Sequence, residues 1–428
     1  MTLTLTTLRA TIAAALLFAA LTATAGAATR GPCVVGQARP TCWVWSGHAV
    51  GAPDGDTPNI AIEGSAPRHV RITGIQAMEG RECHGPSTTA RLNRLIDAAH
   101  GRVRLAARSA SSSSMGRPRR SVSGLIGGRW VDFGRVLLRE GYVLWDPNPV
   151  EDAWNRGYSA LAQRAAARGR GLWNPRACGI GPKQSVKLRL FVQWDADGDD
   201  TVNRNGEYVR VEHRGSGGPV SLYGWWIRDS ALRRYTFPRS AVLRRGQSVT
   251  LHMGGGRHTG SSFYWGQPSS VFEAVDNPRS PAVGMGDGAY LFDPQGDLRA
   301  AFQYPCRRRC RNPARTRVRL TVHNEHADEY VLIRNVSSRP VDLDGQVAKT
   351  SMQRSFDFGA RGVLSMLWPG ETLRLDTGGD PADDSRLHRH WGLSPPVLDD
   401  RSGAVALRTL TDLLTACQRW GSAACPGG

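Results

Sequence analysis

Lysine is almost missing from this 428-residue chain: only Lys183, Lys187 and Lys349 occur among 55 basic residues, so a net charge of +18 is carried by arginine. The choice of arginine over lysine is what a GC-rich coding sequence produces. Composition does not account for the distribution, because +11 of the charge falls in residues 28–183 and +6 in residues 184–428. A basic surface of this kind attracts polyanions without choosing among sequences. No apolar run after residue 27 is long enough to cross a membrane. The CxxC pairs of common zinc sites are absent, and the second half holds no Ser/His/Asp or Cys/His set. Hydrophobic content is an ordinary 40%, which excludes a disordered chain and leaves room for two to four domains.

The first 27 residues read as a cleaved signal peptide. Arg9 supplies a basic start, Ile12 to Leu21 a short apolar core and Ala25-Gly26-Ala27 a small-residue cleavage site, which together imply a secreted protein with no membrane span after cleavage. The alternative is an uncleaved anchor. All eight cysteines follow this leader, and an even count in an exported chain points to disulfides. Local order suggests Cys33–Cys42, Cys306–Cys310 and Cys417–Cys425, leaving Cys83–Cys178, although spacing alone does not fix the connectivity. Residues 28–46 form a lead-in with the first of these small loops.

Residues 54–79 carry the densest chemistry. Asp54 and Asp56 flank a glycine, an alternating segment Val70-Arg71-Ile72-Thr73-Gly74-Ile75 follows, and Glu79 closes the run. Clustered carboxylates suit a hard cation, an arginine grips phosphate, and a spare carboxylate activates water. Around this stretch the pattern predicts short strands at 43–45, 59–63, 68–75 and 103–106. It also predicts a helix from Ser87 to Gly101, a Ser/Arg-rich mobile loop at 110–120, and a hairpin through Gly127-Gly128. Helices at 133–140 and 151–169 follow. Five short strands with helices between them describe a small closed barrel of the oligonucleotide-binding type.

DGDT at 54–57, VRITGIQAMEG at 70–80, GGRWVDFGRVLLREGYVLW at 127–145 and GLWN at 171–174 resemble the staphylococcal nuclease (thermonuclease) family over about residues 47–180. The resemblance implies an OB-fold five-stranded barrel and a calcium-dependent phosphodiesterase acting on DNA or RNA. Asp56 would be a metal ligand, with Asp54 in the same pocket. Arg71 would bind phosphate and Glu79 would be the general base. The family's second phosphate-binding arginine falls at Arg120 by distance to the hairpin or at Arg117 by the preceding glycine. Trp145 lies where the family stacks an aromatic on the nucleotide; its other reading is packing at the barrel rim. Gln76 stands where the family has a metal-binding aspartate; as a third metal ligand it would offer an amide oxygen without the charge that sets calcium affinity, and Met78 departs from the family's proline. Two outcomes therefore stay open: a weakly metal-binding nuclease, or a barrel that holds nucleic acid without cutting it.

After a linker at 182–184, one plan runs twice. KLRLFVQW, NGEYVRVEH, RRGQSVTLHMGGG, FYWG and GAYLFDPQGDL find counterparts in RVRLTVHN, DEYVLIRNV, WPGETLRLDTGGD, RHWG and GAVALRTLTDLL, and each copy closes on a cysteine pair. Alternating strands with frequent turns predict antiparallel β-sandwiches. Residues 205–238 resemble the lamin-tail family, which implies an immunoglobulin-like domain at 185–310 with a binding or spacer role toward a cell-surface or wall partner. Residues 315–425 read as a second, degraded copy. Asp195 to Asp200 has the look of a calcium loop but fails the EF-hand spacing. His252, His258, His388 and His390 have no fixed ligand spacing and read as surface histidines. The chain is thus mainly β, with three contrasting expectations: an exported nuclease, an extracellular nucleic-acid-binding protein, or a structural protein.

Overall fold

The computed structural model describes residues 28–179, 181, 186–198, 202–272, 285–325, 328–359, 363–394 and 397–426. The leader, the linker at 182–184 and the end of the 195–200 loop lie outside the described residues.

The N-terminal unit runs β1 (Thr29–Pro32), β2 (Thr41–Gly51), β3 (Asn59–Ile62), β4 (Arg68–His69), β5 (Arg71–Ile72), β6 (Ile75–Gln76), α1 (Gly85–Ala98), β7 (Arg102–Ala107), β8 (Ser113–Ser114), β9 (Arg117–Ile126), β10 (Arg129–Asp132), α2 (Phe133–Glu140), β11 (Leu144–Trp145) and α3 (Asn155–Ala166). The long strand β2 pairs antiparallel with β3 on one side and β7 on the other. β7 pairs with β9, and β3 with β4. β5 lies parallel to β9 with Arg71 opposite Arg119. The apolar alternation is used as expected. Ile60, Val70, Ile72, Leu105 and Val122 meet Leu92, Phe133 and Leu137 from the helices in one buried cluster.

Local chemistry fixes the helix ends. The Asp132 carboxylate accepts from the Arg135 backbone N–H at 3.0 Å and caps α2, which stops at Gly141 with φ +81°. Asp132 also accepts the Tyr158 hydroxyl at 2.7 Å, tying α3 to α2. The turn between β5 and β6 needs Gly74: its φ is +75°, and a Cβ there would lie 2.7 Å from the Tyr158 ring. That tight return lets Gln76 face Arg71.

Each half of the remaining chain is built on a pair of four-stranded sheets with a small two-stranded ribbon beside them. In the first copy, strands 188–193, 208–213, 248–252 and 262–264 form one sheet, and 234–236, 226–228, 287–292 and 298–304 the other. The second copy repeats the order with 318–325, 328–335, 372–376 and 388–390, then 355–357, 346–350, 403–409 and 414–420. In both, the last strand of the first sheet joins in parallel. Separate apolar clusters fill the two sandwiches.

The three units are packed against one another. Met78, Leu144, Ala165, Leu172 and Trp173 join Trp226, Tyr290, Phe292 and Leu298 in a buried cluster between the N-terminal unit and the first sandwich. Met78 is 2% exposed there, and the Arg228 guanidinium lies 3.8 Å from its sulfur. Between the sandwiches, Lys349 pairs with Asp195 at 2.7 Å, and the Ser355 backbone N–H donates to Asp197 at 3.0 Å. The described part of the 195–200 loop therefore serves an interface. Four disulfides form in the pairing that local order suggests: Cys33–Cys42, Cys83–Cys178, Cys306–Cys310 and Cys417–Cys425.

Candidate functional site

The 54–79 stretch lines a cavity of about 570 Å³ together with residues from the first sandwich. Asp54, Asp56, Arg71, Gln76 and Glu79 all reach it, so these sequence candidates are brought together. Ala231, Leu232 and Arg233 of the sandwich form part of its wall. That wall is invisible to sequence reading, because neither motif signals which loop packs on which unit.

Strand alternation separates the arginines. Residues 113–114 and 117–118 pair as a short hairpin turning at Met115 and Gly116, both with positive φ, in place of the expected mobile loop. Along β9, Arg117 and Arg119 face the cavity. Arg120 faces the other way, 6% exposed, donating to the carbonyls of Ala110 at 2.7 Å and Ser112 at 2.9 Å and stacking on Trp45. Of the two candidates, Arg120 therefore lies away from the cavity and Arg117 lines it: side chains alternate across a strand, so the position two residues after Arg117 joins it, and the position three after does not. The stacking role of Trp145 is corrected. It is fully buried in the core of the N-terminal unit, so it packs the interior and offers no ring face to a nucleotide.

Arg71 is the hub. It is 4% exposed and forms an ion pair with Asp56. Its Nη2 donates to Gln76 Oε1 at 2.5 Å and lies 3.8 Å from Asp146. Asp56 Oδ2 also accepts the Ala77 backbone N–H at 2.7 Å, and Asp56 Oδ1 accepts the Thr57 hydroxyl at 2.9 Å. Arg119 reaches Asp146 at 3.6 Å, while its Nε is buried with no hydrogen-bond partner among the described residues. Arg117 donates to the Thr57 hydroxyl at 3.3 Å. Glu79 is exposed at the rim. Sequence reading misses Asp146 and Arg119. The Asp-Pro-Asn-Pro run reads as a turn, and only the β11–β6 pairing, with Leu144 opposite Gln76, carries Asp146 into the site.

Burial pushes the Asp146 carboxyl up to about 6, against the opposing pull of Arg71 and Arg119. A carboxyl raised above its unfolded value holds its proton better in the fold. The cost of ionising it is present above about 6 and is relieved as pH falls from about 6 toward 4. The pocket therefore gains positive character on acidification. Polyanion binding is expected to tighten as the solution is taken from roughly one pH unit above that value to one below it. An Asp146→Asn variant should bind at the upper pH as the native protein does at the lower, with the remaining pH response reduced. Equal pH slopes for both proteins, measured by fluorescence anisotropy of labelled single-stranded DNA, would remove Asp146 from the site.

The donors do not fit a calcium ion as they stand. Calcium takes about six to eight oxygens, with carboxylates setting its affinity. Here Gln76 Oε1 and Asp56 Oδ2 are both committed to the Arg71 guanidinium, and residue 76 brings an amide in place of a charge. A separate group with metal-like proximity, Cys83, His84 and Cys178, has its two sulfurs closed in a disulfide.

The first sandwich belongs to the immunoglobulin-like class of β proteins. Residues 183–306 match the lamin tail domain, and this part of the chain is such a domain. No nuclease family matches the N-terminal unit. No curated protein matches the chain.

Proposed function

We propose that this is an exported nucleic-acid-binding protein in which a nuclease-type barrel, docked on a lamin tail domain, holds the phosphodiester backbone in the 570 Å³ cavity. The observation that carries the reading is the parallel register of β5 and β9, which sets Arg71 beside Arg119 with Arg117 two residues away on the same face. Guanidinium forks from neighbouring strands match the spacing of phosphate oxygens, and the buried Arg119 Nε is a donor that a phosphate would satisfy. The barrel reading is supported by pairings that return on themselves, from β2 through β3 and the β4–β5 run to β9, β7 and back to β2. Export is supported by the four disulfides, which persist in oxidising compartments.

Cleavage is the second reading, favoured by the exposed Glu79 carboxylate at the rim of the same cavity. Since the donor set does not fit calcium, no metal-dependent step is assigned. The lamin tail domain and the second sandwich are the parts we assign to surface or wall attachment.

The test is binding of single-stranded DNA by the mature protein in EDTA. Arg117→Ala and Arg119→Ala are each expected to weaken it by about ten-fold or more, the worth of a charge-assisted hydrogen bond, and to flatten the salt dependence. Binding that is unchanged in both variants would place the polyanion elsewhere.

A further inference from the structure

The second sandwich holds a cluster that the nucleic-acid reading does not use. Strands 372–376 and 388–390 run parallel, with Asp376 opposite His390 and Arg374 opposite His388. His388 and His390 are two residues apart on one strand, so both rings rise from the same face. The intervening Arg389 is 1% exposed and points inward. One ligand atom from each of Asp376, His388 and His390 lies within 4.8 Å of the other two. Asp376 Oδ2 is bonded to His388 Nε2 and lies 3.9 Å from His390 Nε2, beyond hydrogen-bond reach for that pair.

We propose that these residues form a divalent transition-metal site of the zinc type. Two imidazoles and a carboxylate are a common three-residue zinc set. Zinc bonds of about 2.0–2.1 Å place tetrahedral ligand atoms ~3.4 Å apart, which a modest rotation of the 46%-exposed His388 ring reaches. Outer partners are already in position. Asp384 Oδ1 sits 3.4 Å from His390 Nδ1, on the side of the ring away from the cluster, while Arg374 Nε donates to the far oxygen of Asp376 at 2.7 Å. Carboxylates placed behind histidines in this way orient metal ligands.

The repeat supplies an internal comparison. In the first sandwich the matching pair of strands places His252 opposite Tyr264 and Thr250 opposite Ser262. There His252 stacks on Tyr264 at 5.1 Å, and the paired positions hold no carboxylate and no second histidine. The same scaffold thus carries an aromatic stack in one copy and three convergent ligands in the other. With His388 open to solvent, the fourth coordination position is left to water or to a ligand from a partner.

The experiment is isothermal titration of the EDTA-stripped, dialysed full mature chain with zinc chloride, with cobalt(II) absorption as a second readout. We expect one zinc bound at micromolar or tighter affinity and a four-coordinate cobalt spectrum. His388→Ala should weaken binding about ten-fold or more, and His388→Ala/His390→Ala should abolish it, with circular dichroism showing that both variants fold. His252→Ala, at the matching position of the first sandwich, should bind zinc as the native chain does. No stoichiometric zinc, or zinc binding that survives undiminished in the folded His388→Ala variant, overturns the proposal. Because DNA binding is not the readout, its failure would leave this site untouched.

Discussion

Replacing Arg71 with alanine is expected to remove polynucleotide binding and to destabilise the N-terminal unit by about 3–5 kcal/mol, the cost of breaking a buried ion pair. A phosphate-binding arginine on an exposed surface would give a different result, loss of function with little loss of folding. The structure makes Arg71 the cation of a closed site. Arg71 is 4% exposed and faces Asp56, Gln76 and Asp146. Without it, Asp56 and Asp146 would share a pocket with Arg119 as the nearest remaining cation, and burial already pushes Asp146 up to about 6. An Arg71→Lys variant separates the two effects: it keeps the charge and recovers part of the stability, but loses the fork that grips two oxygens at once. Urea denaturation and DNA anisotropy, measured on the same preparations, read both. An Arg71→Ala protein within about 1 kcal/mol of native stability would mean that Asp56 and Asp146 take up protons or water without strain, and that the ion pair is not what holds the site.

What can be read from the chain follows from how far apart the interacting residues lie. The capping aspartate at 132, the glycine at 141 and the helix between them are local, and their pattern is sufficient to place α2. The duplicated strand order of the two sandwiches is legible for a similar reason, since each copy repeats its turns and strands in sequence. Arg117 against Arg120 is not decidable from sequence, because the answer depends on the register of β9 against β5, a long-range pairing that a loop-like composition conceals. Asp146 is hidden by its Asp-Pro context. Met78 is instructive in another way. It looks like a damaged motif position, yet it is buried against Trp226 and Phe292 of the lamin tail domain. One of the residues that depart from the resemblance thus helps to dock the neighbouring domain.

Gln76→Asp is expected to make the pocket calcium-responsive. In the native chain Gln76 Oε1 accepts from Arg71 at 2.5 Å and its amide nitrogen donates to the Ala77 carbonyl at 3.0 Å, so both ends of the side chain are occupied inside the protein. The amide brings no charge to offset the desolvation of a divalent cation, and Asp56 Oδ2 is shared between Arg71 and the Ala77 N–H. Gln76→Asp removes the donor to Ala77, shortens the side chain and places a second carboxylate beside Asp56. Carboxylate count is a main control on calcium affinity, and a bound cation would compete with Arg71 for Asp56, leaving more of the guanidinium's donors for phosphate. Calcium should then raise the variant's melting temperature by mass action. With Glu79 at the rim, it should also stimulate cleavage of single-stranded DNA about ten-fold or more over the native chain, with EDTA reversing both effects. A native chain that already cleaves DNA in calcium and stops in EDTA would show that an amide suffices at this position and that the second reading is the right one. A variant that binds calcium but does not cut would locate the block at Glu79 or the sandwich wall. A variant that binds no calcium would show that Arg71, and not residue 76, keeps the cation out.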